Sequence, residues 1–460
     1  MALLRWRAQR HGGTHHGKVF SGQRQLTDTA THKKLGFWMC LAMVMGIMIG
    51  SGVFLLPAAL APFGWNAVVG WALTIIGTMT IVTMLVRLTR HLPEADGPHG
   101  FVGTAFGPLP AFLVTWSQWV ATVVANAAVS TAAVSYLSMF SPGIANVPGL
   151  PALLSIAVVW GVTVVNLRGA HAAGGFQIVT TILKLTPLFA AIGITLWVTG
   201  ASKGAALAPL PAEGFSASAI TGAAALTLWA MLGFESASFA SAQVDEPTKN
   251  LPRALMWGTA LTGVIYIIAC SGIALLMPAD VAAASHAPFA DFIAQYWGHG
   301  PALTVAIFAA ISGIGCLNGL SLGNGALVVS VARAGAIPAW FGIVNAHGTP
   351  VRALLFNAVL TTILLLLNSS RGMTDLFVYL ALLSTSSTLF VYLGVTTSAL
   401  RLRIGGAIGL VALGYVFWTL WGAGVQATGW STVLLIAGAP VFWLMRRATR
   451  LRLRASGGQA

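Results

Sequence analysis

From residue 36 onward, long apolar runs alternate with short polar segments. Runs of membrane-spanning length fall at approximately 36–61, 66–89, 109–138, 151–168, 175–199, 218–243, 254–277, 300–332, 350–369, 374–398, 405–424 and 427–446. About 20 consecutive apolar residues cross a bilayer as one helix. The pattern therefore predicts an all-α integral membrane fold with twelve transmembrane helices. Between them, the stretch RHLPEADGPHGFVGTAFG (90–107) predicts a short interfacial helix or gate, and 278–299 is long enough for a small external helix. In DEPTKNLPRA (245–254), two prolines force a turn before the seventh span.

Two spans carry interruptions. GIMIGSGVFLLPAALA (46–61) has Gly50-Ser51-Gly52 at its middle, and LTLWAMLGFESASFASAQ (226–243) has Gly233 beside the ionisable Glu235. Glycine inside a helix costs about 1 kcal/mol relative to alanine, so these are places where a helix opens. An opened turn inside a bilayer is tolerated only where it faces protein or a water-filled cavity. Its free amides and positive dipole end suit a carboxylate. Close packing of helices through small residues is the competing reading for the first site. Two interrupted spans, each opening one half of the chain, point to a transporter built from inverted repeats with the substrate between the breaks.

Composition agrees with a membrane location. The 460 residues are 57% hydrophobic and 7% charged, where a soluble domain carries about 25% charged residues. The net charge of +14 does not signal nucleic acid, because the 24 Lys and Arg residues alternate by side of the membrane. Lys203 and Arg371 fall on one side and Lys184 within a span; the remainder lie on the other side, including both tails. By the positive-inside rule both termini are cytoplasmic, as an even number of spans requires. The expected organisation is a basic tail (1–35), a transporter domain (36–446) and a second basic tail (447–460). Within the transporter domain, repeat one runs to about 199, repeat two covers about 218–398, and two helices follow at 405–446.

Few residues offer chemistry. Of ten acidic residues only Glu235 sits deep in a span; a mid-membrane carboxylate is costly and is a functional candidate by default. Lys184 is the intramembrane lysine and either occupies the place of a coupling cation against the first break or snorkels to the interface. Trp229, one turn before Gly233, is positioned to lid a substrate, although sixteen tryptophans make ordinary packing the commoner role. Asn126, midway along the third span, is interhelical glue or a ligand contact. Cys40, Cys270 and Cys316 fall in apolar spans and read as small hydrophobes. Zinc-protease, phosphate-loop and clustered Cys/His signatures are absent, so no enzyme, metal or cofactor is expected.

The segments IGSGVFLLPAALAPFGW, LWAMLGFESASFASAQVDEPTKNLPRA and VNAHGTPVRA resemble the amino acid–polyamine–organocation superfamily, and in particular its bacterial arginine/agmatine antiporter branch, over roughly residues 36–445. The resemblance implies two inverted five-helix repeats with broken first and sixth helices, plus two further helices. It implies that Ser51 and the amide of Gly52 receive a substrate carboxylate. The carbonyls at Met48, Trp229 and Leu232, beside Gly233, would receive an ammonium, with Trp229 as gate. Asn126 matches a side-chain contact of the family and Glu235 a proton-sensing carboxylate.

The departures from that branch concern specificity. Gly323 stands where its antiporters stack a tryptophan on the guanidinium, Thr122 replaces a small thiol, Leu382 a serine and Leu85 a tyrosine. Lys184 instead resembles a lysine of proton-coupled transporters elsewhere in the superfamily. The sequence therefore predicts an inner-membrane amino-acid transporter working by alternating access, through proton-coupled symport or exchange of a neutral amino acid. The alternative is cationic amino acid/polyamine antiport such as arginine/agmatine exchange; a channel or an amino-acid sensor is the reading from another class. Expected partners are the amino-acid substrate, protons and membrane lipid, not nucleic acid. A homodimer is compatible with this reading.

Overall fold

The computed structural model describes residues 36–50, 52–95, 97–141, 143–168, 183–202, 204, 206–235, 244–345 and 348–457, with side chains described to residue 447 except at Pro247. Every regular element longer than one residue among them is helical. In chain order the main helices are α1 (Phe37–Met48), α2 (Gly52–Leu60), α3 (Trp65–His91), α4 (Gly97–Phe106) and α5 (Pro108–Leu137). Then come α6 (Leu150–Leu167), α7 (Leu185–Ala201), α8 (Ala217–Met231), α9 (Pro247–Leu276) and α10 (Pro288–Trp297). The last five are α11 (His299–Arg333), α12 (Val351–Leu367), α13 (Met373–Arg401), α14 (Gly406–Gly422) and α15 (Gly424–Gly457).

Each apolar run of the sequence holds a helix, and the expected short helices at 90–107 and 278–299 are present as α4 and α10. Among the described residues, seven helices are long and apolar enough to cross a membrane, or eight if the bent pair α1–α2 forms one span. The helices α7, α8, α12 and α14 are apolar but shorter, at 15 to 17 residues. For α7 and α8 the sequence runs extend into 169–182 and 236–243, which lie outside the described residues.

α5 is the central post, packed most extensively on α13 and α11. Its residues from Val123 to Tyr136 are all buried and rich in Ala, Ser and Thr, which lets neighbouring backbones approach closely. Two hydroxyls tie it to α13: Ser117 Oγ donates to the Ser387 carbonyl at 2.7 Å, and Ser384 Oγ donates to the Ala121 carbonyl at 2.8 Å. Such interhelical bonds are worth about 0.6 kcal/mol each in a bilayer, so they set register more than stability. Around this post, α8 packs on α3, α9 on α1 and α3, α12 on α6, and α14 on α13, α3 and α8. The half-helix α2 is fully enclosed, with all nine residues buried against α5, α8, α9, α10 and α13.

Candidate functional site

α1 ends at Met48. Ile49 leaves helical geometry (φ −75°, ψ 87°), and the Gly50 N–H turns back onto the Met48 carbonyl at 2.9 Å. The chain resumes as α2 at Gly52 with its axis bent by 51°, so the helix opens where the glycines predict. Ser51, the expected carboxylate contact, lies outside the described residues. The first turn of α2 carries amides that lack carbonyl partners within their own helix.

The second break adjoins the first. α8 ends at Met231 and Leu232 is extended (φ −71°, ψ 158°). Gly233 follows at φ +108°, a conformation that side chains rarely adopt and glycine takes freely. A Cβ on Gly233 would stand 3.2 Å from Cγ2 of Ile47, in the last turn of α1. A Cβ on Gly52 would overlap the indole Nε1 of Trp229. The Trp229 ring therefore lies directly over the start of α2, held edge-on by Phe377 of α13 at 6.4 Å. Its buried Nε1 has no hydrogen-bond partner among the described residues.

The carbonyls orphaned at the end of α1 are capped by side chains from distant spans. Lys184, at the head of α7 and 3% exposed, donates from Nζ to the Gly46 carbonyl. A cation is stabilised at a helix C-terminus, so Lys184 is placed to cap the end of α1. Tyr266 Oη of α9 donates to the Met48 carbonyl at 3.0 Å. In this conformation the Met48 carbonyl, which the resemblance gives to a substrate ammonium, is engaged by both Tyr266 and the Gly50 amide. The Trp229 carbonyl likewise accepts the Leu232 N–H at 3.3 Å.

Glu235 is buried just past the second break. Its Oε2 accepts from Tyr392 Oη of α13 at 2.8 Å and from the Gly233 N–H at 3.1 Å, while Phe234 stacks on the Tyr392 ring at 5.3 Å. The carboxylate thus bolts the break in α8 to α13. A cavity of about 30 Å³ beside it is lined by Gln118, Thr115, Leu327 and His99, which is room for an ordered water. Thr115 Oγ1 lies 2.8 Å from Nδ1 of the exposed His99 on the wall of this cavity. Sequence reasoning missed Tyr266, Tyr392, Gln118 and His99. The available signal was that a tyrosine deep in an apolar span needs a partner for its hydroxyl.

Asn126 is buried, and its Oδ1 has no hydrogen-bond partner among the described residues. Gly323 is exposed on α11, and a Cβ there would meet nothing within 4 Å. It shares a helical stripe with Cys316, whose Sγ is 2.8 Å from the Cβ position of Gly50, and with Leu327 of the Glu235 cavity. That stripe places Gly323 between the first break and the carboxylate. Thr122 bonds its own helix at the Gln118 carbonyl, 2.9 Å away, Leu85 is fully buried and Leu382 partly so. No cluster of three metal-ligating side chains occurs among the described residues.

Among the described residues, the break between α1 and α2 lies against the end of α8 inside an apolar helical bundle, as in a membrane transporter. A family model described as amino acid permease matches residues 35–439, and the chain belongs to this family of the amino acid–polyamine–organocation superfamily. The chain is 34% identical over 369 residues to the cadaverine/lysine antiporter of Escherichia coli K12, covering 78% of this chain and 82% of that one. It is 30% identical over 403 residues to a putative arginine/ornithine antiporter of Bacillus subtilis, covering 81% and 85%. It is 26% identical over 432 residues to the putrescine transporter PotE of Escherichia coli K12, covering 90% and 97%. These relatives are transporters of bacterial membranes, and the protein is accordingly a multi-pass transporter. They favour the cationic alternative over the neutral-substrate reading drawn from Gly323 and Lys184.

Proposed function

We propose that the protein is a secondary active exchanger of the bacterial inner membrane that swaps a basic amino acid for a polyamine or a second basic amino acid. The observation that carries this reading is the meeting of the two breaks under the Trp229 ring. There the N-terminal amides of α2 face a carboxylate, and the carbonyl ends of α1 and α8 face an ammonium. The substrates named for the relatives are amino-alkyl cations. Lys184 is tethered to the Gly46 carbonyl, which commits its ammonium to the end of α1. The missing ring at Gly323 leaves space on the inner stripe of α11 for a flexible amino-alkyl tail. Binding would draw Tyr266 off the Met48 carbonyl and release that acceptor to the substrate ammonium.

Glu235 links this exchange to protons. As a carboxylate it holds Tyr392 and the Gly233 amide together; once protonated it loosens that bolt and lets the break in α8 move. His99, Thr115 and Gln118 form the proton's route from the surface. Two inverted repeats, 36–199 and 218–398, would rock around the fixed site, with both termini on the arginine-rich cytoplasmic side.

The reading is tested by measuring thermal stabilisation of the purified protein by lysine, arginine, ornithine, cadaverine, putrescine and leucine. A ligand present at 100 times its Kd stabilises the folded state by about 2.7 kcal/mol. The expected result is a rise in Tm with basic amino acids or diamines and none with leucine. Stabilisation by leucine alone would return the neutral-substrate reading.

A further inference from the structure

A second cavity plays no part in this scheme. It holds about 170 Å³ between α5, α11, α12, α15 and the turn Ala339–Gly342, and apart from Thr115 its lining side chains are apolar or aromatic. Trp116 Nε1 donates to the Leu434 carbonyl at 2.8 Å and Trp119 Nε1 to Asn357 Oδ1 at 3.0 Å. Their polar edges are thus spent on the scaffold and the ring faces are left for the cavity. An apolar cavity of this size holds no stable water.

Two arginines close the ends of its aromatic wall. The Arg352 guanidinium lies 4.9 Å over Trp340, from which ring contacts run through Phe341 and Phe356 to Trp119. At the other end Arg446 lies 5.5 Å over Phe442, which leads through Phe112 to Trp116; the two tryptophans then meet at 4.8 Å. Trp340 and Phe356 are exposed, so the wall reaches the outer surface of the bundle. No carboxylate lines the cavity.

We propose that this cavity seats one acyl chain of an anionic phospholipid, with its headgroup at the rim that Arg352 and Arg446 flank. The apolar walls accept the chain, the exposed aromatic rim matches the interfacial belt of a bilayer, and the positive charge at both ends of that rim favours a negative headgroup over a zwitterionic one. The site also touches the transport machinery. Thr115 and Leu327 line both this cavity and the cavity beside Glu235, so the lipid tail bears on the wall of the coupling chamber.

The test uses full-length protein in phosphatidylcholine nanodiscs containing a trace of phosphatidylglycerol with a diazirine near the end of one acyl chain. A matched phosphatidylcholine probe serves as control. After irradiation, peptide mass spectrometry compares labelling of the segments 112–119 and 337–341 with labelling of the outward residues Leu366 and Leu367. Each arginine near the surface is worth about fivefold in anionic-lipid binding. The phosphatidylglycerol probe should therefore exceed the control in the cavity, and the Arg352→Gln/Arg446→Gln variant should lose roughly thirtyfold. Val441→Trp, which fills the cavity without changing charge, should abolish cavity labelling and spare the outward residues. Equal cavity labelling by both probes in the wild type would overturn the proposal, as would cavity labelling that survives the double substitution. The wild-type comparison of the two headgroups decides the matter even if a variant does not fold.

Discussion

Replacing Gly52 by alanine perturbs the meeting of the two breaks with a single methyl group. The added Cβ would overlap Nε1 of Trp229 and lie 3.0 Å from Cε2 and 3.3 Å from Cδ1 of the same ring. The neighbour is the body of a buried indole rather than a flexible tip, so the ring has to shift. Overpacking of this kind costs about 1–3 kcal/mol. Gly52 is the first residue of α2 and lacks a positive φ, so alanine brings no backbone strain and returns up to about 1 kcal/mol of helix propensity. The net expectation is about 1–2 kcal/mol against the state in which Trp229 covers the site, or roughly 5- to 30-fold in substrate affinity. Calorimetric titration of the purified protein measures this, and a cycle with Trp229→Phe isolates its cause. Phenylalanine lacks Nε1, so Gly52→Ala should cost much less in the Trp229→Phe background, with a coupling of about 1 kcal/mol. Wild-type affinity for Gly52→Ala, or the same loss in both backgrounds, would refute the placement of the indole over the break.

Tyr266→Phe removes the donor to the Met48 carbonyl and should lower stability by about 1 kcal/mol, read as a fall in Tm. If Tyr266 competes with the substrate ammonium, this variant also binds lysine more tightly. Glu235→Gln keeps an acceptor for Tyr392 and Gly233 but removes the titrating proton. Exchange in proteoliposomes should persist and lose its dependence on pH, whereas an unchanged pH profile would exclude Glu235 from coupling. Gly323→Trp enters open space and should leave Tm unchanged. Stacking on a guanidinium is worth about 0.5–2 kcal/mol, so arginine affinity should rise two- to thirty-fold relative to lysine in competition binding.

The helices and both breaks were legible because their causes are local. Glycine at 50, 52 and 233 weakens a helix wherever it falls, and a carboxylate at 235 inside an apolar run is costly in any fold. Lys184 was legible as an intramembrane charge, but its acceptor was not, since Gly46 is 138 residues away in sequence. The two tyrosines escaped for the same reason. Tyr266 meets Met48 across 218 residues and Tyr392 meets Glu235 across 157, and each reads locally as one more large residue in an apolar span. His99 was passed over because its loop composition said only that a short interfacial helix forms there; the fold alone turns that helix toward Thr115. The neutral-substrate expectation rested on Gly323, and the relatives favour its cationic alternative; a lost aromatic ring says what contact is absent and not what the remaining space accommodates.

The central claim is that the meeting breaks serve exchange of cationic substrates. It is tested most directly by uptake of labelled lysine into proteoliposomes loaded with cadaverine, with leucine, or with buffer alone. The expected result is saturable uptake that is fast with internal cadaverine and close to background with leucine or buffer. Uptake that is indifferent to internal substrate, or trans-stimulation by leucine and not by cadaverine, would contradict it.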